Sequence, residues 1–158
     1  MTFVRRCTTV VSATALALGL AVGLTATPAS AATYPSCTQV AYYGAGGLVR
    51  PEPAVATGNH ACTLGRGNQG EPVRVLQKAL NLCYGQNIRV DAVFGPQTET
   101  AMRNVQQWIK TYVDAGLTVD GIFGPRTHTS TFFPEYWYAM SKYRCGNNLD
   151  FKPLPAGY

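Results

Sequence analysis

The spacing of apolar and polar positions changes three times along the chain. From Val10 to Leu24 there is no charged residue, and Ala, Leu and Val dominate. From Thr33 to Ala61 no helical period can be found. Tyr34-Pro35 and Pro51-Glu52-Pro53 interrupt that stretch, and Gly44-Ala45-Gly46-Gly47 loosens it further. It reads as irregular or extended, with one short strand near Gln39–Tyr43. Beyond Leu64 the period becomes helical. Val73, Leu76 and Leu80 fall at i, i+3 and i+7 on one face. Glu71 and Pro72 suit the first turn of that helix, and Gly85 suits a left-handed cap at its end. Ala101, Val105, Trp108 and Tyr112 fall at i, i+4, i+7 and i+11 and predict a second amphipathic helix. A shorter third helix is expected to run toward Phe132. Pro134-Glu135 predicts the start of a fourth, which Gly146 would end.

Between the predicted helices lies an internal repeat. Val90-Asp91-Ala92-Val93-Phe94-Gly95-Pro96-Gln97-Thr98 matches Val119-Asp120-Gly121-Ile122-Phe123-Gly124-Pro125-Arg126-Thr127 at an offset of 29 residues. An Asp side chain can accept from nearby backbone N–H groups and hold a turn. Phe fixes such a turn to a core, Gly admits a tight backbone, and Pro takes the first helical position. Asp91, Phe94, Gly95, Asp120, Phe123 and Gly124 are therefore read as structural turn residues.

Composition adds a compartment. Arg5 and Arg6, the apolar run and Ala29-Ser30-Ala31 form, in that order, the pattern of a secretory signal peptide ending at residue 31. The formal net charge is +5, and loss of Arg5 and Arg6 with the leader brings it to about +3. So mild and scattered a positive charge suits an anionic wall polymer and does not suit nucleic acid. Once the leader is removed, no membrane segment is expected. Cys37, Cys62, Cys83 and Cys145 then remain, an even number in an exported chain, which predicts two disulfides. Sequence allows three connectivities. The pairing expected here is Cys62–Cys83, closing a loop around one helix, with Cys37–Cys145 joining the tails. Zinc ranks below disulfides, because no Cys-x-x-Cys pair occurs and only His60 lies beside a cysteine.

Leu64, Gly67, Gly70, Val73, Leu76, Gln77 and Leu80, then Asp91, Phe94, Gly95 and Thr98, then Leu117, Asp120, Gly121, Phe123, Gly124 and Thr127 form three ordered blocks. Together they resemble the peptidoglycan-binding domain family, a three-helix module of bacterial cell-wall hydrolases. The chain departs from the family pattern at Ala92 for Gly, at His128 where Trp is frequent, and at Val105 where Phe is common. The resemblance implies a mainly α fold: a small three-helix bundle over residues 62–133, with irregular disulfide-tied flanks. Those flanks are an N-terminal segment at 32–61 and a C-terminal helix and tail at 134–158. Aromatic faces and polar groups typify sites for sugars and peptides. On that basis Tyr84, Arg89, Arg103, Gln106, Arg126 and Thr127 are the ligand-binding candidates. Trp108 is read as core.

Catalytic motifs are missing from the sequence. Cys145-Gly146 lacks the surroundings of a nucleophile, and zinc hydrolases need several His with carboxylates. His60 and His128 are read as surface and helix-terminal residues. Asp91 and Asp120 sit in turn repeats, so the paired acids of a glycosidase are not indicated. The reading is a secreted, non-catalytic protein, extracellular or wall-associated, that binds peptidoglycan and needs no cofactor or metal. The alternatives are a small wall-polymer hydrolase and an exported interaction or inhibitor protein, suggested by the aromatic segment Phe132-Phe133 and Tyr136-Trp137-Tyr138.

Overall fold

Proline marks the start of each helix. In this computed structural model, which describes residues 33–44, 47–56, 58–137, 142–146 and 151–152, Pro72 lies in the first turn of α1 (Glu71–Tyr84), while Pro96 opens α2 (Pro96–Tyr112) and Pro125 opens α3 (Pro125–Ser130). At those positions the missing N–H has no intrahelical partner to lose, and the ring presets a helical φ. Gly85 closes α1 in the left-handed conformation, and its N–H bonds back to Asn81 O at 2.9 Å. Residues 32–158 group as one compact unit. The expected leader, residues 1–31, lies outside the described residues.

Val73, Leu76 and Leu80 are fully buried, as their spacing predicts. In α2 the buried row is Ala101, Met102, Val105 and Ile109. The predicted face ran through Trp108, which is half-buried, and Tyr112, which is 72% exposed. Phe94 and Phe123, one from each repeat, are both buried in the same core.

The flanks overturn the mainly α expectation. β1 (Gln39–Tyr43), β2 (Leu48–Ala54), β3 (Phe133–Trp137), β4 (Lys142–Gly146) and β5 (Phe151–Lys152) form one antiparallel sheet in sequential order. The fold is thus mixed α and β, with a sheet where irregular flanks and a fourth helix were expected. Pro134 opens no helix. It pairs with Cys145 across β3–β4, while β2 meets β3 only at Tyr136 and Trp137. The absent N–H of Pro134 therefore falls where β3 has one ladder neighbour, the position at which a strand tolerates proline. Pro51 and Pro53 use the same arrangement in β2 opposite β1. The helical module packs on this sheet chiefly through α1. Phe132 and Phe133 are buried and form no exposed aromatic patch.

The four cysteines among the described residues are all oxidised, but the partners differ from those expected. Cys37 pairs with Cys62 and Cys83 with Cys145, at Cα separations of 5.0 and 5.6 Å. The cause is geometric. Cys83, in the last turn of α1, meets Cys145 on β4 rather than Cys62, which lies in the extended segment before α1. Instead, Cys37 N–H donates to Thr63 O at 3.0 Å and Thr63 N–H to Pro35 O at 2.8 Å, which lays Cys37 against Cys62.

Candidate functional site

The two repeats build the same hydrogen-bonded hub, each centred on a buried glutamine from the preceding helix. Gln77 Nε2 reaches Asp91 Oδ1 at 2.9 Å, Val93 O at 3.0 Å and Thr98 Oγ1 at 3.1 Å, and its Oε1 accepts from Ala92 N–H at 2.9 Å. Gln106 Nε2 reaches Asp120 Oδ1 at 2.8 Å, Ile122 O at 2.9 Å and Thr127 Oγ1 at 3.3 Å, and its Oε1 accepts from Gly121 N–H at 2.7 Å. Asp91 and Asp120 each also accept from the backbone two residues on, Val93 and Ile122. The hydrogen bond from Gln77, followed by that from Val93 N–H, lowers the pKa of the Asp91 carboxyl. Gln106 and Thr127 were candidate ligand contacts. Both are buried, and their polar atoms face this hub because the turn folds back over the helix that supplies the glutamine.

The other four candidates do not converge. Arg103 Nη2 binds Glu99 Oε1 at 2.9 Å, and Arg66 takes the other Glu99 oxygen. Those two hydrogen bonds, Arg103 first, keep the Glu99 carboxyl below its ordinary pKa. Arg126 grips Asp114 with two bonds of 2.8 and 2.9 Å, which lowers the Asp114 pKa and raises its own. Arg89 is exposed. Tyr84 packs edge-on to Trp108, and its hydroxyl accepts from Phe132 N–H at 2.7 Å. Burial pushes the Tyr84 phenol pKa well up.

Tyr84 does line a trough between the end of α1 and α2. Two hollows of about 380 Å³ each share Gln86 and Asn104. One continues over Asn87, Gln97 and Thr100, the other over Tyr84 and Trp108. Asn104 Nδ2 donates to Gln86 Oε1 at 3.0 Å across the shared floor. The lining is neutral, rich in amides and flanked by aromatic rings, a composition suited to hydroxyls, acetamido groups and peptide bonds. A larger groove of about 580 Å³ runs between α1 and the sheet, with Tyr42, Lys78, Tyr136 and Tyr143 among its walls.

A second polar cluster joins the sheet to α3. Glu52 on β2 is buried, and its Oε2 lies 2.8 Å from His128 Nε2 and 3.5 Å from His60 Nε2. The imidazoles of His60 and His128 stack at 4.0 Å and 12°. Arg50 pairs with the other Glu52 oxygen and, at 2.8 Å, with Glu135, which Arg144 also holds at 2.9 Å. Burial acts to raise the Glu52 pKa. The His128 hydrogen bond and the charges of Arg50, His128 and His60 outweigh it and hold the carboxyl below its ordinary value. Neither histidine is the plain surface residue that the sequence suggested. His128 is 6% exposed, and His60 binds both Tyr43 and Pro53. No spacing signal connects Glu52 with His128, 76 residues away. Gln77 could have been found, since it precedes Gln106 by the repeat offset of 29.

A family model described as a putative peptidoglycan binding domain matches residues 69–130. Among solved structures, the SleB N-terminal domain is 38% identical, with 42% of this chain and 84% of that chain covered at a TM-score of 0.35. A peptidoglycan-binding protein from Clostridioides difficile, in complex with glutamine hydroxamate, is 26% identical at a TM-score of 0.39, with 56% of this chain and 52% of that chain covered. No curated protein sequence matches the chain.

Proposed function

The chain belongs to the peptidoglycan-binding domain family through residues 69–130, and from that premise we propose that it is an exported, non-catalytic protein that binds peptidoglycan. The observation that carries this reading is the trough across Gln86 and Asn104, whose lining lies entirely within the matched segment. Its amides suit the acetamido and peptide groups of a wall polymer, and Trp108 with Tyr84 offers ring faces for sugar. Export is supported by the leader pattern of residues 1–31 and by two disulfides, which persist in oxidising compartments. Among the described residues no helix is long and apolar enough to cross a membrane.

Co-sedimentation with purified sacculi tests the reading, with the supernatant monitored for released muropeptides. The chain is expected to sediment with sacculi, to do so less at high salt because its net charge is positive, and to release nothing. Asn104→Ala is exposed at the trough floor and should weaken binding about fivefold, the loss of roughly one hydrogen bond. Sedimentation no better than that of an unrelated basic protein would overturn wall binding. Released fragments would overturn the non-catalytic part and favour the hydrolase alternative.

A further inference from the structure

We propose that Glu52, His60 and His128 form a binding site for one divalent cation of the zinc class, clasping the sheet to the helical module. The one potential ligand atom from each residue lies within 4.8 Å of the other two. They arrive from three separate places: β2, the loop that follows it, and α3. Two imidazoles and one carboxylate are a donor set that zinc accepts, with bonds of about 2.0–2.1 Å. In a tetrahedral site with such bonds, neighbouring ligand atoms stand about 3.3 Å apart. Two of the three edges, 2.8 Å from Glu52 Oε2 to His128 Nε2 and 3.5 Å to His60 Nε2, bracket that value, and the third is within 4.8 Å. The two imidazoles stack 4.0 Å apart and 12° from parallel, so one ring must turn out of the stack before both nitrogen lone pairs can meet one metal.

The surroundings fix the tautomer of His60 and free one oxygen of Glu52. His60 Nδ1 lies 2.7 Å from Pro53 O. A carbonyl can only accept, so Nδ1 carries the hydrogen, and in the neutral ring Nε2 presents its lone pair. Metal-bound histidines are commonly fixed in this way through the other ring nitrogen. Arg50 occupies Glu52 Oε1 and leaves Oε2 to converge on the two rings. The hydroxyl of Tyr43, 2.7 Å from His60 Nε2, donates to that lone pair and must swing away when a cation binds, leaving the fourth position to water. Loading requires the hydrogen shared by His128 Nε2 and Glu52 Oε2 to leave that nitrogen, so protons compete with the cation. The His60 side chain is 16% exposed against 3% for Glu52 and 5% for His128, which places the entry path on the His60 side.

The test is titration of the untagged, disulfide-intact chain with ZnCl2 by isothermal calorimetry, with CoCl2 as a spectroscopic stand-in and thermal melts with and without chelator. One Zn2+ per chain at micromolar or tighter affinity is expected, with visible Co2+ absorption of a tetrahedral nitrogen–oxygen site and a melting midpoint that chelator lowers. His60→Gln, at the more exposed ligand, should retain the fold and weaken binding at least tenfold. His128→Gln should do the same wherever its circular dichroism stays native. Binding of less than a tenth of an equivalent at tens of micromolar Zn2+ would overturn the proposal. Stoichiometric binding that survives His60→Gln unchanged would overturn it equally, because the cation would then lie elsewhere.

Discussion

Position 92 carries alanine at a φ of 63°, where the second copy of the same turn has Gly121 at 78°. An L residue in this region pays a steric penalty on the order of 1 kcal/mol that glycine avoids. Ala92→Gly is therefore expected to raise stability by up to about 1 kcal/mol, read as a higher urea midpoint at constant slope. Gly121→Ala should cost more than that gain, because a Cβ there would stand 2.9 Å from Glu99 Cγ and about 3 Å from Arg103. Equal and opposite shifts at the two positions would mean that φ alone decides and that the crowding at Gly121 is relieved freely. The glutamines give a second prediction at this scale. Gln106→Leu keeps the apolar volume but removes the amide from Asp120, Thr127 and the Gly121 N–H. With Thr127 and the Gly121 N–H buried and left without the amide, a loss of about 2–4 kcal/mol is expected in the same urea unfolding. In the sequence, the turn aspartates were legible because they repeat in a recognisable motif. The glutamines that organise them share the offset of 29 residues, but their buried role was not legible, since a polar residue inside an amphipathic helix reads as solvent-facing.

At the level of elements, the three helices were legible because each carries its start signal and its apolar row within a few residues of sequence. The sheet was not. Pro134-Glu135 resembles the Glu71-Pro72 opening of α1, yet one pair lies in a strand and the other in a helix. What distinguishes them is distant. Glu135 is buried on β3 because Arg50 from β2 and Arg144 from β4 both neutralise it, and no local window contains all three. Gly146 likewise ends no helix; it faces Phe133 across the β3–β4 ladder. A Cβ at that glycine would lie 2.8 Å from Glu135 Oε1, and the two arginines restrict how far the carboxylate can yield. Gly146→Ala is expected to destabilise the chain by about 1–3 kcal/mol through this overpacking. The faster amide exchange that follows should centre on β3 and β4 and leave α2 protected. Exchange that rises evenly over the whole chain would argue that the ion pairs are not what the glycine accommodates.

For the whole molecule, the question is how a helical module near the lower size limit for a self-sufficient core is kept folded. The sheet supplies part of the answer, since Phe133 joins the core formed by Leu64, Leu76, Phe94 and Phe123. The disulfides fasten that sheet at two points. Cys83–Cys145 ties the end of α1 to β4, and Cys37–Cys62 ties the segment before β1 to the segment before α1. Pairing was illegible in the sequence because it depends on a sheet of which only the strand at Gln39–Tyr43 was foreseen. The first bridge closes a separation of 62 residues and the second one of 25. Chain entropy then assigns them about 4.3 and 3.5 kcal/mol, with the longer loop contributing more. Thiol titration of the denatured, unreduced protein should accordingly find Cys37, Cys62, Cys83 and Cys145 all unreactive. Paired serine substitutions should rank the bridges, with Cys83→Ser/Cys145→Ser lowering the melting midpoint further than Cys37→Ser/Cys62→Ser. Because Cys83 also lines the trough beside Tyr84, the Cys83–Cys145 variant should lose sacculus binding at temperatures where the other variant still binds. An inverted order of melting would show that native packing around Cys37 outweighs the entropy of the longer loop.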